Sequence, residues 1–206
     1  MKTFFILISV FLLLAVAAYS QDNSARTQTV EDLKAAYIGE STASAKYAAY
    51  ADKAAEEGFT KVSKLFRATS KSESIHAANH KAVLEQIGEA VPKVTPKFDV
   101  KTTSENLQDA IDGESYEVAT MYPEMLKNVN KSKITIAGIS FNYAFETEKN
   151  HKKLYTKALE ALKAGNESSL SGQYAICSTC GNTYDSNVPN RCGICMTGKD
   201  RFIMID

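Results

Sequence analysis

Apolar and polar positions alternate along this chain with the period of an α-helix in four long stretches. Apolar residues recur three or four positions apart over residues 30–57, and the same spacing returns from residue 61, from residue 105 and from residue 134. Steps of three and four keep side chains on one face of a helix, which a core can bury. The pattern therefore predicts a mainly α protein built on four amphipathic helices.

Each predicted helix carries ionisable residues in the middle of its apolar face. They are Glu40 on the first helix, Glu73 and His76 on the second, Glu114 and Glu117 on the third, and Glu148 and His151 on the fourth. An unpaired buried carboxylate is costly, or it shifts its pKa and takes a proton. A single Glu of this kind is explained if the apolar face has been assigned to the wrong side of the helix. Five Glu and two His at one level of four helices instead predict a bound cation.

The spacing of these residues repeats between the two halves of the chain. Glu40 precedes Glu73 by 33 residues, and Glu114 precedes Glu148 by 34. Glu73 and Glu148 each begin a Glu-x-x-His sequence, which places two ligands one turn apart on a helix. One Glu from each of two helices and Glu-x-x-His from the other two is the ligand set of di-iron carboxylate bundles. Such oxygen and imidazole donors suit iron or manganese.

The two halves are joined by residues 89–103, which contain Pro92 and Pro96 and have no helical period. About fifteen residues is long for a connection between adjacent helices. We therefore expect this segment to cross the length of the bundle. The predicted fold is a four-helix bundle with a long crossover.

A second candidate metal site lies near the C-terminus. Cys177, Cys180, Cys192 and Cys195 form two CxxC pairs separated by eleven residues. Two such pairs bring four thiolates into a tetrahedron that holds zinc or iron, and their spacing does not choose between the two metals. Two disulfides are the alternative reading. Because so short a segment has little apolar surface to bury, the metal would serve as its core. The small and polar residues 164–171 are interpreted as the linker.

The N-terminus has the layout of a secretory signal peptide. Lys2 is followed by an almost wholly apolar run over residues 4–18, and Ala18 and Ser20 stand at the −3 and −1 positions of a cleavage site. The run is shorter than the roughly 20 residues of a membrane span. We expect cleavage after residue 20 and an exported, periplasmic protein. An uncleaved membrane anchor is the alternative.

Composition excludes one class of partner and sets the domain organisation. The 24 Lys and Arg balance 24 Asp and Glu among 206 residues, so the chain has no basic footprint for nucleic acid. This length fits one domain of moderate size, or one domain with a small appendage. We predict a signal peptide at residues 1–20, a di-iron bundle at 21–165, and a linker with a small four-cysteine domain at 166–206.

Taken together, these motifs resemble the rubrerythrin family, in which a ferritin-like di-iron bundle precedes a rubredoxin-like domain. The resemblance covers nearly all of residues 28–206. In the bundle it rests on Gly39-Glu40-Ser41-Thr42-Ala43, Glu73-Ser74-Ile75-His76-Ala77, Gly113-Glu114-Ser115-Tyr116-Glu117, Met121-Tyr122-Pro123 and Glu148-Lys149-Asn150-His151. In the C-terminal part it rests on Tyr174, the first CxxC pair, Gly181, Tyr184 and Lys199-Asp200-Arg201-Phe202.

The resemblance implies roles for particular residues. Two irons would be held by Glu40, Glu73, Glu114, Glu117, Glu148, His76 and His151, and a third by Cys177, Cys180, Cys192 and Cys195. Glu73 and Glu148 would bridge the pair, and Glu117 would be an extra carboxylate that one iron exchanges for His76 on reduction. Glu117 is therefore a catalytic candidate, together with Tyr47 and Tyr122 beside the cluster. Pro123 also matches, and it predicts a kink in the third helix.

The resemblance further implies the reaction and its setting. The expected activity is the reduction of hydrogen peroxide to water, with the four-cysteine iron relaying electrons from an unknown donor. The expected assembly is a homodimer in which the four-cysteine domain of one chain lies near the di-iron site of the other. Two alternatives stay open: a ferritin-like ferroxidase, and a structural module in which zinc occupies the four-cysteine site.

Some features of the chain depart from the family pattern or have no place in it. Gly193 stands where a Pro is expected after the first Cys of the second pair, and this change bears on iron potential or metal choice without removing a ligand. His80 lies one turn beyond His76 and has no family role. It is interpreted either as an ordinary helix residue or as a partner of the metal-bound side chains.

Overall fold

The computed structural model describes secondary structure from residue 2 and side chains over residues 23–206. The predicted signal peptide at residues 1–20 lies outside the residues whose side chains are described, and its cleavage stays a prediction. Within the described part, no helix is both long and apolar enough to span a bilayer.

In the part of the chain that the structure describes, five α-helices and a small sheet are the main elements. The helices are α1 (Lys2–Glu56), α2 (Thr60–Gln86), α3 (Thr103–Tyr116), α4 (Tyr122–Ser132) and α5 (Thr135–Lys163). The strands are β1 (Tyr174–Cys177), β2 (Thr183–Tyr184) and β3 (Phe202–Ile205). Because α3 and α4 follow each other along one side of the molecule, the helices form the four arms of a bundle. The predicted mainly α fold with a small C-terminal domain is confirmed.

The connection between the two helix pairs crosses the bundle from end to end. At its start, Glu89 lies 4.0 Å from Lys34 of α1. At its end, the amide of Thr103 donates to Glu57 just beyond the end of α1, at 2.9 Å. Residues 34 and 57 are about 35 Å apart along a helix at its usual rise per residue. The long crossover predicted for residues 89–103 is therefore present.

The third arm is not the continuous helix that its apolar spacing predicts. A π-helical turn at Glu117–Met121 separates α3 from α4, so the irregularity begins before Pro123 and not at it. In a regular α-helix, Tyr122 would be rotated about 80° from Glu114, since eight residues turn by about 100° each. A π turn takes up one extra residue, which returns Tyr122 to within about 20° of that face. The wider turn thus directs both side chains towards the bundle interior.

Two apolar clusters fill the bundle above and below a polar layer. One cluster is centred on Phe66, Leu107 and Tyr155, and the other on Leu84 and Phe141. The ionisable residues that interrupt the apolar faces lie between these clusters. The apolar packing at both ends therefore holds the polar layer in place and excludes water from it.

The C-terminal domain is a three-stranded antiparallel sheet in the order β2-β1-β3, and it packs on α2 and α5. The preceding segment, interpreted as a linker, also contacts the bundle. Glu167 accepts hydrogen bonds from the amides of Lys61 and Val62 at 2.5 and 3.3 Å, and Leu170 is buried in the first apolar cluster. The N-cap residue of α2 is Phe59, whose side chain makes no capping hydrogen bond. Glu167 supplies this cap from a hundred residues away.

Candidate metal centre

Two overlapping groups of buried side chains occupy the polar layer. The first group is Glu40, Glu73, His76 and Glu148, and the second is Glu73, Glu114, Glu148 and His151. Within each group the candidate ligand atoms lie within 4.8 Å of one another. The structure thus places six of the seven predicted bundle ligands around two adjacent positions, which share the carboxylates of Glu73 and Glu148.

The two imidazoles face these shared carboxylates through the same ring atom. The Nδ1 atom of His76 lies 2.8 Å from both Glu73 and Glu148. The Nδ1 atom of His151 lies 3.1 Å from Glu73 and 2.6 Å from Glu148. Each Glu-x-x-His pair thus aims its carboxylate and its imidazole at one point, and the two points are adjacent.

The atoms that face this layer fit a pair of metal ions. Although the two Nδ1 atoms lie close to Glu73 and Glu148, these contacts do not form aligned hydrogen bonds. Among the described residues, the buried polar atoms without a hydrogen-bond partner include Glu40 Oε2, both oxygens of Glu73 and of Glu148, Glu114 Oε2, and Nδ1 of His76 and His151. Buried polar atoms are normally paired, and a set that is unpaired in one small volume needs another partner. Carboxylate oxygens and imidazole nitrogens are the donors that iron and manganese accept. The residues present therefore fit a di-metal site.

The opposite nitrogens of the two imidazoles are held by the C-terminal domain. Nε2 of His76 lies 3.0 Å from the carbonyl oxygen of Cys180, which only accepts. Nε2 of His151 lies 3.0 Å from the hydroxyl of Thr183, which itself donates to the carbonyl of Gly181. Both Nε2 atoms must therefore carry the ring proton when the imidazoles are neutral. This leaves each Nδ1 lone pair free for a metal. Partners on the far side of ligating histidines commonly fix the ring proton in this way.

The electrostatics of the layer show why it needs positive charge. Burial raises the pKa of Glu40 well above its usual value, and the nearby carboxylates of Glu117 and Glu148 raise it further. Glu114 is affected in the same way, by burial first and then by Glu148. Burial lowers the pKa of His151, but the carboxylates beside it outweigh this effect and raise the pKa to about 9. Protons therefore balance the charge where no cation is present, and bound metal ions would displace them.

Two tyrosines donate hydrogen bonds to the outer carboxylates. The hydroxyl of Tyr47 donates to Glu114 at 2.8 Å, and the hydroxyl of Tyr122 donates to Glu40. Burial raises the pKa of both phenols well above the usual value, and the adjacent carboxylates add to the effect. Both hydroxyls thus keep their protons at the edge of the site, where the resemblance places them.

Glu117 stands outside both groups of candidate ligands. It is the first residue of the π turn and is half-buried, whereas Glu114 is fully buried. It is close enough to the layer for its charge to raise the pKa of Glu40. The exchange of Glu117 for His76, which the resemblance implies, stays a prediction.

The four cysteines form a separate site in the C-terminal domain. Their sulfur atoms lie within 4.8 Å of one another, and all four are free of disulfides. The Sγ atoms of Cys177 and Cys195 are 3.4 Å apart, as are those of Cys180 and Cys192. Four converging thiols in a short segment fit one tetrahedral metal ion, for which both iron and zinc are suitable.

The turn at the first CxxC pair lies directly against the bundle. Ser72 donates to the carbonyl of Gly181 at 2.7 Å, and Asn79 donates to the carbonyl of Thr179 at 2.9 Å. Gly181 has a φ of 83°, and a Cβ there would overlap His76 Nε2. All these contacts lie within one chain. The resemblance implies instead that the four-cysteine domain faces the bundle of a partner chain.

Sequence patterns did not point to Thr183, which orients His151. It lies in β2, between the two CxxC pairs, and nothing in its local sequence indicates a contact with α5. Thr183 follows two residues after Gly181, and Gly181 lies against His76. This placement in the folded chain brings Thr183 to the imidazole of His151.

The fold and site define a helical-bundle metalloprotein of the di-iron carboxylate class, with an appended four-thiolate site. The family model described as Rubrerythrin matches residues 31–159. Rubrerythrin-2 of Clostridium acetobutylicum is 35% identical over 176 residues, which cover 84% of this chain and 95% of that protein. Nigerythrin of Nitratidesulfovibrio vulgaris is 30% identical over 84% of this chain and 85% of its own length.

Solved structures agree with these sequence matches. A structure of fully reduced, all-ferrous nigerythrin superposes with a TM-score of 0.77 at 30% identity, covering 85% of this chain and 86% of the other. The chain belongs to the rubrerythrin family. Its bundle centre is a di-iron-type site, and its four cysteines form the rubredoxin-like site of that family.

Proposed function

We propose that this protein is a peroxide reductase that converts hydrogen peroxide to water at the bundle site and receives its electrons through the four-cysteine site. The observation that carries the proposal is the hydrogen bond between His76 Nε2 and the carbonyl of Cys180. A ligand of one candidate metal site thereby touches the backbone of a ligand of the other. A ferroxidase has no need of this connection, and a structural zinc module leaves the buried carboxylates unexplained.

The overall reaction consumes one peroxide, two electrons and two protons and releases two waters. Bound iron would supply the electrons, since two ferrous ions store two of them at one place. The chain holds these ions through the two ligand groups, and the apolar clusters keep bulk water away. Tyr47 and Tyr122 hold protons at the two outer carboxylates, Glu114 and Glu40.

The experiment compares turnover and single-turnover reactivity in one variant. In Cys180→Ser, steady-state peroxide consumption with an external donor should fall to background, because the four-cysteine site is disrupted. The same variant, reduced beforehand, should still consume about one peroxide per di-iron site. Ser178→Ala is the matched control, since it alters the same turn without removing a sulfur ligand. Wild-type steady-state turnover in Cys180→Ser would refute the relay.

The iron content, the assembly and the location belong to the same proposal. We propose iron in both sites, a homodimer, and an exported protein whose electron donor is outside the cytosol. Metal analysis of protein purified without oxygen tests the first, sedimentation tests the second, and mass spectrometry of the native N-terminus tests the third. Zinc in the four-cysteine site of anoxically purified protein would contradict the relay. An intact Met1 on a cytosolic protein would contradict export.

A further inference from the structure

His80 is a buried histidine outside both ligand groups. His80 lies on α2 and its side chain is fully buried. Its two ring nitrogens contact residues that are not candidate ligands. Nε2 lies 3.3 Å from the hydroxyl of Tyr122, and Nδ1 lies 2.7 Å from the hydroxyl of Ser140. The ring packs against Phe141 with centroids 5.5 Å apart. An ordinary core position at this depth would hold an apolar side chain.

The hydrogen bonds around Tyr122 determine the direction of the whole chain of contacts. Glu40 is ionised when it binds a metal, so it only accepts hydrogen bonds. Tyr122 has one hydroxyl proton and donates it to Glu40. The bond between Tyr122 and His80 must then have Nε2–H of His80 as its donor.

The same reasoning extends to the far side of the ring. A neutral imidazole with its proton on Nε2 has a lone pair on Nδ1. The hydroxyl of Ser140 therefore donates to Nδ1. Three bonds run in one direction, from Ser140 through His80 and Tyr122 to Glu40. Burial and the nearby His76 lower the pKa of His80 to about 3, which agrees with a ring that stays neutral.

We propose that His80 is a positioning residue that, with Ser140, holds the Tyr122 hydroxyl as a donor to Glu40 and so keeps an oriented proton beside the di-metal site. A phenol oxygen without this partner could rotate its hydroxyl away from the carboxylate or lose the bond altogether. Removing a group that hydrogen-bonds a metal ligand, as Tyr122 does to Glu40, commonly costs about 10–100-fold in metal affinity or activity. The structural part of the proposal stands by itself, and only its effect on rate rests on the proposed peroxide reduction.

The first test is spectroscopic and does not depend on activity. The chain has three histidines, so nitrogen NMR of the full chain labelled with ¹⁵N-histidine contains three ring systems. Zinc-loaded protein keeps the signals narrow, and His80→Gln identifies the signals of His80 by their loss. We expect a neutral His80 ring with its proton on Nε2. A proton on Nδ1, or a doubly protonated ring at neutral pH, would overturn the proposal.

Ser140→Ala tests the outer end of the chain of bonds. Removing the hydroxyl should shift the Nδ1 resonance of His80 towards that of a nitrogen without a hydrogen-bond donor, while His76 and His151 stay unchanged. An unchanged Nδ1 resonance would contradict the assigned bond.

The second test measures the reaction of reduced, iron-loaded protein with peroxide in a single turnover. His80→Leu, which keeps a similar volume but no polar atom, should react about tenfold more slowly. His80→Gln, whose amide can donate from the Nε2 position, should restore most of the rate. An unchanged rate in His80→Leu at full iron content would overturn the positioning role. If wild-type protein does not react with peroxide, the proposed function fails, while the NMR result still decides the arrangement of His80.

Discussion

His76 donates a hydrogen bond of 3.0 Å from Nε2 to the carbonyl oxygen of Cys180, while its Nδ1 faces Glu73 and Glu148 at 2.8 Å. One imidazole thus joins the carboxylate layer of the bundle to the turn that carries two of the four thiols. The two residues are 104 positions apart in the chain. The close approach depends on Gly181, because any Cβ at that position would overlap the ring.

Gly181→Ala should therefore separate the two sites. Its φ of 83° is unfavourable for alanine, and its Cβ would meet His76 and Ser72. We expect a loss of about 1–3 kcal/mol in unfolding free energy from the backbone alone, and slower reduction of the bundle site. Thermal denaturation and stopped-flow reduction measure the two effects. Gly172→Ala is the control, since Gly172 has nothing within 4 Å of its added Cβ. Equal reduction rates in both variants would contradict this role for Gly181.

Glu148→Ala should empty the bundle site selectively. Glu148 belongs to both ligand groups and contacts both imidazoles, so its loss weakens two metal positions at once. Metal analysis should show the bundle metal lost and the four-cysteine metal retained. Glu160→Ala removes an exposed carboxylate from the same helix and should keep the full metal content. Two bundle metals in Glu148→Ala would refute the ligand assignment.

The stability of metal-free protein should fall as the pH rises from about 6.5 to 9. Burial opposes protonation of His151, but Glu73 and Glu148 raise its folded pKa to about 9. A raised histidine pKa stabilises the fold fully below the unfolded pKa, and the contribution is lost as the pH rises through the folded pKa. For His151 this amounts to up to about 3 kcal/mol. The raised pKa values of Glu40 and Glu114 act in the same direction.

Metal-loaded protein should lose less stability over the same pH range, because the cations take the place of the protons. Chemical denaturation at several pH values, with and without a chelator, measures the difference. A metal-free protein that is equally stable at pH 6.5 and pH 9 would contradict the electrostatic account of the site.

Glu167→Ala should destabilise the start of α2. Its carboxylate accepts from the amides of Lys61 and Val62, and it is the charged cap of that helix. We expect a loss of about 1 kcal/mol, typical of a removed N-cap. Urea denaturation measures it. Ser168→Ala, whose exposed hydroxyl bonds only Asn166 among the contacts the structure describes, should leave stability nearly unchanged. Equal stabilities for the two variants would show that Glu167 is not a cap.

The sequence by itself determined three features of this protein. They are the helix periodicity, the common height of the ionisable residues along the helices, and the spacing of the cysteines. Each depends on residues a few positions apart, which a helix or a tight turn places together wherever it folds. For this reason the bundle, the crossover and the four-thiol site could be predicted. The shared roles of Glu73 and Glu148 could be expected only through the resemblance, since spacing does not show which carboxylates meet.

Other features were decided only by the tertiary structure. The π turn at Glu117–Met121 leaves no mark on the apolar spacing, because it changes the helix by a single residue. The contact of Cys180 with His76, the support of His151 by Thr183 and the hydrogen bond from His80 to Tyr122 all join elements far apart in sequence. The first two exist because the C-terminal domain packs on α2 and α5, and the third because α4, packed on α1 and α5, brings Tyr122 to His80 in the bundle interior. Burial then requires each of those groups to have a partner.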